Sequence, residues 1–156
     1  MTDRQKLYAE LAEEVAALMA GESDAIANAA NLSAQLFMVL PRLNWVGFYF
    51  MRAGELVVGP FQGKPACVRI AVGKGVCGTA VEKRRSILVQ DVHEFPGHIA
   101  CDAASRSELV VPLIKNGVVL GVLDLDSPDP ARFDADDQAG LERIAALYVD
   151  AIDRIN

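Results

Sequence analysis

Two apolar runs, residues 109–114 (LVVPLI) and 118–126 (VVLGVLDLD), stand on either side of Asn116-Gly117. Asn-Gly between such runs is a strong local signal for a tight β-hairpin, because both residues tolerate the positive φ that a type I′ turn demands. A chain built around this hairpin commits to an antiparallel sheet. The second run carries Asp124 and Asp126, and side chains alternate along a strand, so the two carboxylates share one face. Two acids on a half-buried surface raise the free energy of the fold unless they bind something. The strand therefore reads as part of a pocket for a small cationic ligand.

Register decides whether Glu108 joins them. A regular two-residue turn pairs Leu109 with Asp124 and leaves Glu108 on the opposite face. A three-residue turn over 115–117, with Gly117 left-handed, pairs Glu108 with Asp124 instead. A bulge at Pro112, which cannot donate to a ladder, also reverses the parity. An irregular hairpin is expected, and a regular one would remove Glu108 from the site.

The remaining elements follow from spacing. Residues 3–20 carry Leu7, Leu11, Val15 and Leu18 at helical intervals before Gly21. A second helix runs from Ser23, a candidate N-cap, with the stripe Ile26, Ala30, Ser33, Phe37 and Leu40, and Pro41 ends it. Residues 44–52 (NWVGFYFMR) form a strand that turns at Ala53-Gly54 into a second strand over 55–61. Val46, Phe48 and Phe50 share its core face, whereas Trp45, Gly47, Tyr49 and Met51 share the other, which suits core packing or the wall of a ligand site. A short strand over 67–72, a helix over 76–83 and a strand over 86–90 come next. The last helix, 134–156, is capped by Asp134 and buries Leu141, Ile144, Tyr148 and Ile152.

Between them, residues 91–107 form a long loop with His93, His98 and Cys101, and its apolar Phe95, Ile99 and Cys101 suit a lid tucked against the body. Two more cysteines lie outside it. Cys67 opens the short strand, and Cys77 sits in the first turn of a helix, where the dipole favours a thiolate. Nine and twenty-three residues separate the three cysteines, which matches no zinc spacing. His93 and His98 with the acids lack helical metal spacing, so no metal is expected.

At 156 residues with a net charge of -6, the chain fits one domain, residues 1–156, and offers a nucleic acid or an anionic membrane nothing to neutralise. Without a membrane span or a signal peptide, it is expected in the cytoplasm, where its cysteines rest as thiols. The order of elements points to an α+β fold with a mainly antiparallel sheet.

The motifs NWVGFY (44–49), GPFQGKPACVRI (59–70), GKGVCGTA (73–80), HIACD (98–102), SELVVPL (107–113) and GVLDLDSP (121–128) together resemble the free methionine-(R)-sulfoxide reductases, a family of GAF-domain proteins. The resemblance covers nearly all of the chain from Asn44 onward, and all three of the family's cysteine positions are filled. It implies a six-stranded sheet with N- and C-terminal helices packed on one face, a homodimer built through the terminal helices, and no cofactor. By the same resemblance, Cys101 is the nucleophile, Cys67 resolves it into a disulfide, Cys77 has a secondary role, and thioredoxin is the reductant. Trp45 and Tyr49 would enclose the substrate's methyl end, and Glu108, Asp124 and Asp126 would bind and polarise the substrate.

The residue types suit that chemistry. Free methionine sulfoxide carries an ammonium for the acids and a sulfoxide oxygen that a carboxyl of raised pKa can protonate. Its carboxylate needs donors, and backbone N–H groups of residues 102–107 are the expected source. A GAF module that senses a small ligand without catalysis is the competing reading. A peroxidase-like thiol protein is a second, although it would need no triad of carboxylates.

Overall fold

The structure, a computed structural model, describes residues 1–98, 101–153 and 155. Six strands form one antiparallel sheet: β1 (Trp45–Arg52), β2 (Glu55–Gly63), β3 (Arg69–Ala71), β4 (Ile87–Val89), β5 (Ser107–Lys115) and β6 (Val118–Ser127), in the order β3-β2-β1-β6-β5-β4. Four helices accompany it: α1 (Asp3–Met19), α2 (Ala25–Val39), α3 (Gly75–Lys83) and α4 (Ala135–Ala151). One 3-10 turn, Val92–Glu94, interrupts the long loop.

Caps start the helices where their side chains can accept the free N–H groups. Thr2 and Gln5 make a capping box at α1, as do Asp134 and Asp137 at α4. Asp24, not Ser23, caps α2 by accepting from Ala27. The expected stripe holds only in part: Ser33 and Leu40 are buried, but Ile26, Phe37 and the neighbouring Met38 are exposed, and Ala25, Asn28, Ala29, Leu32 and Leu36 complete the buried face. In α1, Met19 takes the buried place expected of Leu18. Helix α4 ends at Ala151, short of the expected 156, and Arg154 and Asn156 lie outside the described residues.

The two faces of the sheet do different work. Val46, Phe48, Phe50, Leu109, Val111, Leu113, Leu123 and Leu125 pack under α1, α2 and α4 in the larger core. Trp45, Tyr49, Val110 and Val122 face the other way, toward α3, in a smaller one. Alternation along β1, β5 and β6 produces this division.

The hairpin is irregular, though not where the sequence placed the fault. Lys115 pairs with Val118 around a two-residue turn, with Asn116 at φ 51° and Gly117 at φ 79°. The register then slips: Ile114 faces Val119, but Leu113 faces Gly121, which leaves Leu120 as the extra residue on β6. From there Val110 pairs with Asp124 and Glu108 with Asp126, not with Asp124. Pro112 stays in register opposite Val122. A bulge adds one residue to one strand, so it brings Glu108 to the aspartate face as effectively as a longer turn would.

Candidate active site

The sheet builds the site in rows. Glu108 on β5, Asp126 on β6 and Trp45 on β1 lie side by side, and Val110, Asp124 and Gly47 form the next row. Gly47, opposite Asp124, is crowded by β2, so that an added Cβ would meet Phe61 Cα at 2.7 Å and Pro60 O at 2.8 Å. Above the rows is a cleft lined among others by Trp45, Tyr49, Cys77, Cys101, Glu108, Asp124 and Asp126.

The aromatic side chains also brace the neighbouring loop. Trp45 stacks on Phe61 with ring centres 5.1 Å apart and donates from Nε1 to Lys64 O at 3.1 Å. Tyr49 donates from its hydroxyl to Cys67 O at 2.9 Å. Two hydrogen bonds from β1 therefore hold the segment that carries Cys67. That residue precedes β3, so the expected strand over 67–72 is shorter than the sequence suggested.

Cys67 and Cys101 are joined by a disulfide, with Cα atoms 5.5 Å apart and 34 positions between their numbers in the sequence. Cys101 belongs to the long loop, which Asn44, the residue before β1, anchors. Asn44 Nδ2 donates to Asp102 Oδ2 and to Ser105 Oγ, both at 3.0 Å. His98, also on the loop, points Nε2 toward Glu108 Oε1 at 3.9 Å. Phe95 packs on the smaller core as expected, and Ile99 lies outside the described residues.

A GAF domain model matches residues 40–153. The chain is 51% identical to the free methionine-R-sulfoxide reductase of Escherichia coli over 144 residues, 92% of this chain and 87% of that one. The chain belongs to the free methionine-(R)-sulfoxide reductase family of GAF-domain proteins. Solved structures agree with this. The X-ray structure of free methionine-R-sulfoxide reductase from Neisseria meningitidis in complex with its substrate superposes with a TM-score of 0.93 at 42% identity, covering 97% of this chain and 91% of that one. The reduced form of the Staphylococcus aureus enzyme gives 0.91 at 50% identity, covering 94% and 95%.

In this family member the three acids form one electrostatic unit. Burial first, then Asp124 and Asp126, pushes the pKa of Glu108 well above the usual carboxylate range. Burial also raises Asp126, with Asp124 adding to the effect. Asp124 is raised by burial and held back by the neighbouring Glu108 and Cys77. Carboxyls so placed cannot all ionise, and the cluster retains a proton that it can give away.

Cys77 differs from its sequence reading. Burial, followed by repulsion from Asp124, Glu108 and Asp126, pushes its thiol up and keeps it protonated. The first turn of α3 does favour a thiolate, but a helix dipole contributes only about 0.3–1 kcal/mol, and desolvation beside three carboxyls outweighs it.

The backbone donors expected of residues 102–107 are largely engaged. Ala104 N–H donates to Asp102 Oδ1, Ser105 N–H to Asp102 O, and Arg106 N–H to Ser127 O. Sequence reasoning missed the bracing roles of Asn44, Phe61 and Lys64, and the approach of His98 to Glu108. Only Asn44 had a local signal, as the first residue of the NWVGFY motif.

Proposed function

We propose that this protein reduces free L-methionine-(R)-sulfoxide to L-methionine, with Cys101 as nucleophile, Cys67 as resolving thiol and an external dithiol, thioredoxin, as reductant. The observation that carries the reading is the Cys67–Cys101 disulfide beside a cleft walled by Glu108, Asp124 and Asp126. A redox pair next to an acidic pocket suits a substrate that is both cationic and oxidised at sulfur.

In the first step the Cys101 thiolate attacks the sulfoxide sulfur while the carboxyl cluster protonates its oxygen. That oxygen passes as hydroxyl to the Cys101 sulfur as the bond to the substrate sulfur breaks, so methionine leaves and Cys101 becomes a sulfenic acid. The Cys67 thiol then attacks the sulfenic sulfur, releasing water and forming the disulfide. A dithiol reduces that bond, regenerating both thiols and becoming a disulfide itself. The acids hold the substrate ammonium, and Trp45 and Tyr49 hold its methyl end. Cys77, buried and protonated, takes at most a secondary part.

The same reading has residues 1–156 acting as one domain in the cytoplasm, where thioredoxin keeps dithiols reduced. It also pairs two copies through helices, and the exposed Ile26, Phe37 and Met38 on α2 suit such a partner face.

The deciding experiment follows consumption of methionine (R)-sulfoxide against the (S) epimer and a peptide-bound sulfoxide, with thioredoxin or dithiothreitol as reductant. Turnover of the free (R) epimer alone is expected. Binding without consumption would make the protein a sensing module instead.

A further inference from the structure

Cys77 has no necessary step in the proposed reaction, yet its Sγ lies among the reactive groups of the cleft. Cys77 Sγ, a carboxylate oxygen of Glu108 and one of Asp124 all lie within 4.8 Å of one another, and all three residues are buried. Asp124 is only 5% exposed, and among the described residues its Oδ1 has no hydrogen-bonding partner. A buried carboxylate oxygen without a donor is an open coordination position. A nitrogen donor, His98 Nε2, stands 3.9 Å from Glu108 Oε1 and lines the same cleft.

The donor set selects the ion. Calcium and magnesium want six or more oxygens, and this floor offers too few and adds a sulfur. One thiolate and two carboxylates suit zinc, whose tetrahedral ligands stand about 3.5 Å apart at its usual bond lengths. Atoms within 4.8 Å of one another close by at most about 1.3 Å to reach that spacing.

We propose that Cys77, Glu108 and Asp124 form a zinc-binding site at the floor of the cleft, with the fourth position open to the cleft. On binding, Cys77 gives its proton to solvent and coordinates as a thiolate. The ion occupies the position assigned above to the substrate ammonium, so zinc excludes a cationic ligand from the cleft. This site is separate from the redox pair, because Cys67 and Cys101 are bonded to each other.

The test uses the full chain with its disulfide formed and no substrate, so that the result does not depend on the reductase reading. Zinc chloride titrated by calorimetry should bind at one ion per chain in the micromolar range or tighter. Cobalt substituted for zinc should give a near-ultraviolet thiolate-to-metal charge-transfer band. Cys77→Ser and Asp124→Asn should each weaken zinc binding at least about 100-fold, the upper end of what losing an outer-shell partner alone does. Absence of saturable binding, a cobalt complex without the thiolate band, or affinity unchanged in both variants overturns the proposal. The cobalt spectrum of the unaltered protein decides the matter if either variant fails to fold.

Discussion

Glu108 stands directly opposite Asp126 in the β5–β6 ladder, and it does so because Leu120 bulges out of register between them and the turn. Directly paired like charges destabilise a sheet, so the arrangement is kept by what it does in the cleft.

Replacing Glu108 with Gln keeps the shape and removes the acid. The kcat/KM for free methionine (R)-sulfoxide should fall roughly 100- to 10,000-fold, the range of a general acid's contribution. Thermal stability should hold or rise, since a like-charge contact is lost. A variant that loses activity and stability together would assign Glu108 a structural role instead.

Stability should also carry the signature of this cluster. Burial raises the folded pKa of Glu108 above its unfolded value, so its protonated form is the one folding favours. That contribution is whole below the unfolded value of about 4.3 and is lost as pH rises through the folded one. Urea midpoints measured from acidic to neutral pH should show the unaltered protein losing stability relative to Glu108→Gln. Parallel curves would place the carboxyl in water.

The disulfide pair divides into two phenotypes. Cys101→Ser should abolish turnover, and Cys67→Ser should release one equivalent of methionine per chain, then stall with a sulfenic acid that a diketone probe traps. Reducing the disulfide opens a closed loop of 34 residues. It should lower unfolding stability by about 2–4 kcal/mol, read from paired denaturation curves.

Gly47 tests the packing behind Asp124. An added methyl has nowhere to go between Phe61 Cα and Pro60 O, so Gly47→Ala should lose about 1–3 kcal/mol or more in urea denaturation. An unchanged midpoint would mean that β1 and β2 separate easily at this row.

Asn44 holds the loop that bears Cys101 through Asp102 and Ser105. Asn44→Ala should raise KM for the sulfoxide and slow disulfide formation in a single turnover, with little change in thermal midpoint. A fall in midpoint without a kinetic change would make the contact merely structural.

Much of this molecule is legible locally. Asn116-Gly117 announces its turn, Asp134 caps its helix, and alternation in VVLGVLDLD places Asp124 and Asp126 on one face without reference to any other segment. The α2 stripe held only at Ser33 and Leu40, because several small residues leave more than one face apolar enough to bury; Ala29, Leu32 and Leu36, not Ile26 and Phe37, fill the rest of the buried face.

The sequence by itself determined the elements, the direction of the hairpin and the shared face of two aspartates, because backbone preference and side-chain alternation act over a few residues. Only the tertiary structure decided that Leu120 would bulge, that Glu108 would meet Asp126, that Cys77 would keep its proton, and that the Cys67 and Cys101 Cα atoms would lie 5.5 Å apart. Those outcomes depend on desolvation and on strand register, and both are set by residues far away in the chain.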